Sequence, residues 1–80
     1  MPQRNRRLSF IITLKDGGRI ATVAEAVVVM RKLPIARQHL PVWQKTMQML
    51  LEANETGSGV AMRHATAQLC RALQVEGWVV

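Results

Sequence analysis

The sequence contains few of the residues that cross-link small domains or build metal and catalytic sites. It has one cysteine, two histidines and five acidic residues in 80 positions. Cys70 has no second cysteine with which to form an internal disulfide, and no Cys/His cluster has the spacing of metal ligands. Catalysis needs titratable groups that converge, so the sequence predicts no enzyme, no metal and no other cofactor.

The residues that could still carry chemistry are isolated from one another. Cys70 adjoins the apolar face of a predicted helix, where a free thiol usually behaves as a small buried hydrophobe. His39 and His64 have no partner at ligand spacing, and we interpret both as surface or helix-end residues. None of the three is therefore a candidate site residue.

Long apolar runs are absent as well. The run at residues 8–14 is only seven residues long, is interrupted by Ser9 and Thr13, and ends at Lys15. A secretory signal is longer and less polar, and no stretch of about 18 apolar residues that could span a membrane occurs elsewhere. We therefore expect a cytoplasmic protein without a membrane partner.

Negative charge is scarce in the first half of the chain. The formal net charge is +6, but residues 1–45 carry nine Lys/Arg against two acids, a net of +7, whereas residues 46–80 have a net charge of −1. Three of the cations, Arg4, Arg6 and Arg7, fall within the first seven residues. We interpret residues 1–7 as a flexible basic arm and residues 8–80 as a single small globular domain.

The remaining composition is that of a folded domain. Apolar residues make up 49% of the chain and charged residues 20%, which is typical of a globular protein. A core of this size supplies only about 3–5 kcal/mol of net stability. Burial against another chain would add to it, so the small size favours association.

The N-terminal part of the domain is predicted to be a β-hairpin. Apolar residues follow the period-two pattern of a half-buried strand, at Leu8, Phe10, Ile12 and Leu14. Residues 16–18, Asp-Gly-Gly, supply the positive φ of a tight turn, and residues 19–21 form the returning strand. The hairpin spans about residues 8–21, with Phe10 on its core face, and must pack on other elements because an isolated hairpin is marginal in water.

Three helices are predicted to cover the hairpin. Their boundaries are about 22–33, 39–54 and 58–76. The first opens at a capping box formed by Thr22 and Glu25 and ends before Pro34. The third ends at Gly77, and residues 77–80 are apolar enough to add a short C-terminal strand. The predicted fold class is therefore α+β.

The second helix offers a surface for association. Its apolar arc is wide, and a stripe beside the main one consists of Val42, Thr46, Met49 and Ala53. We interpret this stripe as an association surface for a second copy of the chain, giving a homodimer, or for another protein. The predicted function is thus a non-catalytic domain for protein interaction or self-association.

Nucleic-acid binding is the alternative, through the basic arm and the hairpin. The candidate contacts to phosphates are Arg4, Arg6, Arg7, Lys15 and Arg19. Aromatic residues that could stack on bases are few, since Phe10, Trp43 and Trp78 all occupy predicted core positions. We therefore place nucleic-acid binding second.

Several short motifs resemble one family of small bacterial proteins. The motif residues are Thr22-Val23-Ala24-Glu25-Ala26, Leu33-Pro34, Arg37, Ala61-Met62-Arg63 and Val75-Glu76-Gly77-Trp78-Val79. These motifs follow a strand and a glycine turn, and in this order they resemble the family called domain of unknown function 982 over nearly the whole chain. The chain differs from that pattern at Thr66, where the family has phenylalanine. The resemblance implies a compact domain of a hairpin and helices, and it brings no established activity, ligand or site.

Overall fold

Two strands are followed by four helices in a computed structural model that describes residues 6–79. The elements are β1 (Arg7–Thr13), β2 (Arg19–Thr22), α1 (Val23–Arg31), α2 (Ile35–Gln38), α3 (Pro41–Thr56) and α4 (Gly59–Glu76). This order confirms the α+β class and the hairpin with three main helices. The difference is α2, a four-residue helix in the segment that separates α1 from α3.

The hairpin turn has the conformation that its glycine and aspartate residues favour. β1 and β2 pair antiparallel, and the Leu14 amide donates to the Gly18 carbonyl at 2.7 Å. Gly17 has a φ of 90°, in the left-handed region that glycine enters without steric cost. The Asp16 carboxylate accepts from the Gly18 amide at 2.8 Å, which closes the turn.

A large bulge interrupts β1 and changes which residues it buries. Between the pairs Arg7↔Thr22 and Ile12↔Ile20, four residues of β1 stand opposite one residue of β2. Leu8 and Ile12 point into the core, whereas the side chain of Phe10 is 47% exposed. The prediction that Phe10 lies in the core is wrong, because the bulge breaks the alternation that would have turned it inward.

The capping box of α1 forms at the predicted place. Thr22 is the N-cap, and its hydroxyl accepts from the Glu25 amide at 3.2 Å. The Glu25 carboxylate reaches back to the Ala21 amide at 3.2 Å, so the cap also ties α1 to β2. The buried face of α1 consists of Val23, Ala26, Val27 and Met30.

Helices α3 and α4 pack together and form the centre of the core. The buried residues of α3 are Trp43, Thr46, Leu50 and Ala53, and those of α4 are Met62, Ala65, Thr66, Leu69, Ala72 and Leu73. Gly57 joins the two helices at a φ of 69°, and a Cβ at this position would lie 2.9 Å from the Arg6 guanidinium. The positive φ therefore favours glycine there, whereas the Arg6 guanidinium is the end of a flexible side chain that can move aside.

The chain returns to the hairpin after α4. Leu14 and Val79 form an antiparallel bridge, and the Lys15 amide donates to the Trp78 carbonyl at 2.8 Å. Within residues 6–79 the predicted strand over 77–80 is thus a single bridge, and Val80 lies outside the described residues. None of the helices in this part of the chain is long and apolar enough to cross a membrane.

Candidate interaction groove

Two members of the predicted association stripe on α3 have no exposed surface. Thr46 and Ala53 are fully buried, because this side of the helix packs inside the domain. The Thr46 hydroxyl donates to the Val42 carbonyl at 2.6 Å and accepts from Gln68 of α4 at 3.4 Å. Val42 and Met49 are half-buried against the core. Thr46 and Ala53 therefore cannot contact a second chain in this fold, which corrects that part of the predicted surface.

An open groove lies instead along the opposite side of α3. Its volume is about 490 Å³, within the range of 300–1,000 Å³ that is usual for binding clefts. The floor consists of the buried residues Met30, Leu33 and Trp43, and the wall on α3 consists of Met47 and Leu51, both half-buried. The rim is polar and comprises Arg31, Gln38, His39, Gln44 and Gln48. We refer to these ten residues as the groove.

The short helix α2 forms one end of the groove because of how α1 ends. Pro34 prevents α1 from continuing, and the chain turns back over its C-terminal end. The Gln38 side-chain amide then donates to the carbonyls of Leu33 at 2.7 Å and Arg31 at 3.3 Å. Carbonyls at a helix end need such partners, so Gln38 fixes α2 beside Arg31.

A charged cluster anchors α2 and α3 to the end of α4. The Arg37 guanidinium contacts the Glu76 carboxylate at 2.5 Å and 3.2 Å, one nitrogen on each oxygen. The Trp43 indole N–H donates to the same carboxylate at 3.2 Å. The hydrogen bond from Arg37 holds the pKa of Glu76 below its ordinary value, and burial opposes this shift. This cluster holds Trp43 in the groove floor and α2 at its end.

The stability that Glu76 confers should depend on pH. The pKa of Glu76 is lowered in the folded state. Its contribution to the free energy of unfolding is therefore complete above pH 4.5, the ordinary pKa of the group. That contribution is lost as the pH falls through the lower pKa of the folded state. Urea unfolding of the wild type and Glu76→Gln should therefore differ at pH 7, and the difference should be smaller at a pH well below 4.5. The difference is expected to be modest, since Arg37 is 43% exposed. A difference that is the same at both pH values would contradict this role.

The first two described residues are part of the fold. The Val23 amide donates to the Arg6 carbonyl at 3.0 Å, and the Arg6 guanidinium donates to the Asn54 carbonyl at 2.6 Å. Arg7 begins β1 opposite Thr22. Arg6 and Arg7, which were predicted to belong to the arm over residues 1–7, are therefore part of the fold, and residues 1–5, including Arg4, lie outside the described part of the chain.

The candidate nucleic-acid contacts lie at the two ends of the hairpin. Arg6 and Arg7 line a shallow pocket of about 340 Å³ together with Ser9 and the start of α4. Arg19 pairs with Thr13 at the turn end of β1, and Lys15 lies in the turn. Six residue steps of strand separate these ends, up to about 20 Å. The candidate contacts within the described residues thus form two separate pairs, Arg6 with Arg7 and Lys15 with Arg19.

The two histidines and the cysteine lie in different surroundings of the described structure. His39 is exposed on the groove rim, His64 is exposed on α4, and Cys70 is a half-buried free thiol. Among residues 6–79, no three His, Cys, Asp or Glu side chains come together as a group that could hold a metal ion.

Thr66, the position at which the family pattern has phenylalanine, links α4 to the bulge of β1. Its hydroxyl is buried, donates to the Met62 carbonyl at 2.7 Å and accepts from the Ser9 amide at 3.1 Å. Arg63, which fits that pattern, is exposed. Comparison with protein-family models, curated proteins and solved structures finds no match for this chain, so the resemblance to domain of unknown function 982 stays a prediction.

Proposed function

We propose that this chain is a non-catalytic cytoplasmic domain that binds a protein segment in the groove. The observation that carries the proposal is an open groove with a polar rim and an apolar wall, on which Met47 and Leu51 are only half-buried. Interfaces between proteins have this arrangement, with an apolar centre and a polar rim. The small core is a second reason, because burial of the groove would add to a limited stability.

The chemistry of the groove suits a helical segment of a protein. Helices bind in grooves by inserting apolar residues spaced three and four positions apart. Helix α3 lines the groove from Trp43 to Leu51, which is about 12 Å along its axis. Met30 in the floor and Met47 in the wall are flexible side chains that adapt to an inserted residue. Three glutamines of the rim can donate and accept hydrogen bonds, and Arg31 adds one positive charge.

The groove should be required for capture of a partner. Leu51→Arg places a charge on the apolar wall, and Gln44→Trp obstructs the groove from an exposed position that the core does not need. A tagged wild-type chain should retain a stoichiometric protein from a lysate of its own cells, and both groove variants should lose it. Val75→Arg, on an α4 side chain that is 65% exposed and outside the groove, is the matched control and should retain it. Retention by both groove variants would overturn the proposal.

Nucleic-acid binding is a second candidate, supported by the pocket that Arg6 and Arg7 line without an acidic neighbour. Two phosphate contacts would give weak binding, with a salt slope of only about −2. We expect Arg7→Gln to reduce the affinity for a random DNA duplex and to lower the salt slope by about one, with Arg19→Gln as the comparison at the other hairpin end. No binding at low salt, measured by fluorescence anisotropy, would remove this candidate.

A further inference from the structure

We infer that β1 binds a short segment of single-stranded nucleic acid, with a base stacked on Phe10 and the adjoining phosphates on Arg6 and Arg7. This inference rests on the second candidate function, since it names the form of nucleic acid that the pocket beside Arg6 and Arg7 would bind. Three observations support it: the exposure of Phe10, the position of the arginine pocket next to it along the strand, and the lack of acidic residues in this region.

Phe10 is exposed, although the sequence placed it in the core together with Trp43 and Trp78. The bulge in β1 leaves its side chain 47% exposed, whereas Trp43 is buried and Trp78 packs against the core. Phe10 is thus the most exposed aromatic side chain of residues 6–79. Aromatic rings presented by strands are the surfaces on which single-strand-binding proteins stack bases. The sequence-based argument against nucleic acid, a lack of free aromatic rings, therefore does not hold at this position.

The arginine pocket adjoins Phe10 along the strand. Ser9, the residue before Phe10, lines this pocket together with Arg6 and Arg7. Arg7 and Phe10 are three residue steps apart, at most about 10 Å along β1. Both residues are exposed. A nucleic-acid strand with phosphates in the pocket would therefore bring its next bases within reach of the Phe10 ring.

The charge of this region is complementary to a polyanion. None of the residues that line the pocket is acidic, and β1 itself contains no acid. Within residues 6–79 Arg7 makes no ion pair, whereas Arg6 uses one nitrogen to donate to the Asn54 carbonyl. A guanidinium has five N–H donors, so Arg6 keeps donors for a phosphate. Contacts of this kind position a nucleic acid without reading its sequence.

A single strand suits this arrangement better than a duplex. In a duplex neighbouring bases cover one another, and a side chain must unstack them before it can contact a base face. A single strand leaves its base faces open and is flexible enough to place a phosphate and a base on residues three positions apart. Neither contact involves the 2′-hydroxyl that distinguishes RNA from DNA, so single strands of both kinds should bind.

Substitutions of Phe10 test the stacking contact on an exposed side chain. Fluorescence anisotropy at low salt should show that the full chain binds an oligothymidylate or oligouridylate of about a dozen nucleotides more tightly than a DNA duplex of the same length. Phe10→Leu keeps an apolar side chain but has no aromatic face, and it should weaken binding of the single strand about tenfold. Phe10→Trp keeps an aromatic face and should bind at least as tightly as the wild type. Val75→Ala, on an α4 side chain that is 65% exposed, is the matched control and should leave binding unchanged.

The outcomes separate this inference from the candidate function on which it rests. If Phe10→Leu binds as tightly as the wild type while Arg7→Gln binds more weakly, the arginine pocket is a phosphate site and the stacking contact is overturned. A duplex bound as tightly as the single strand would overturn it too. No binding of either form would overturn both the inference and the candidate function. Urea unfolding of each variant should match the wild type, which excludes misfolding as the cause of lost binding.

Discussion

Replacement of Trp43 with alanine is expected to leave little of the domain folded. Trp43 is 1% exposed and is the largest fully buried side chain among the described residues. Its removal leaves a cavity that the surrounding helices can fill only in part, at a cost of about 3–5 kcal/mol. This matches the whole net stability of about 3–5 kcal/mol that a core of this size supplies. Far-UV circular dichroism of Trp43→Ala at 25 °C should show most of the helical signal lost.

Two further variants separate the volume of Trp43 from its hydrogen bond. Trp43→Phe keeps most of the ring but loses the indole bond to Glu76, and it should cost less than the alanine variant. Trp78→Ala truncates the other tryptophan, which is only half-buried, and should leave a folded protein. Trp43→Ala with a wild-type urea midpoint would contradict the placement of Trp43 at the centre of the core.

The adjacent pair Leu50 and Leu51 should differ sharply in their contribution to stability. Leu50 is fully buried between α3 and the rest of the core, whereas Leu51 is half-buried on the groove wall. Leu50→Ala is expected to lower the free energy of unfolding by about 2–5 kcal/mol, as is usual for a buried leucine. Leu51→Ala leaves no closed cavity and should lower it by about 1 kcal/mol or less.

The comparison is well matched because both substitutions are identical in chemistry and lie on one helix. Helix propensity and the change in the unfolded chain are the same for both, so the difference reports burial alone. Urea unfolding at one pH gives both values. Equal losses would mean that Leu51 is as enclosed as Leu50, and the groove would then not be open.

Local signals in the sequence predicted most of the fold. The capping box at Thr22, the glycine turn at Gly17 and the glycine at the end of α4 each act through neighbours within four residues. Such interactions depend on little else, which is why the element boundaries are close to the predicted ones. The bulge in β1 depends instead on how β1 packs on α4, where Ser9 bonds to Thr66 across 57 positions. Phe10 was misplaced for this reason.

The groove was harder to predict than the elements around it. Periodicity placed Val42, Thr46, Met49 and Ala53 on one stripe of α3, but it does not say which of two apolar stripes another helix covers. The position of α4 decided this, since it buried Thr46 and Ala53 and left the Met47 side open. The contact between Arg37 and Glu76 spans 39 positions, and no local pattern marks it.

The central claim, that the groove is where this protein contacts protein, is tested most directly by crosslinking from inside the groove in living cells. Gln44→benzoylphenylalanine places a photoreactive group on the exposed rim, and Gln74→benzoylphenylalanine places the same group on the exposed face of α4. The account predicts a discrete product from position 44, heavier than the 9.0 kDa chain, and none from position 74. No product from position 44, or an equal product from position 74, would contradict it.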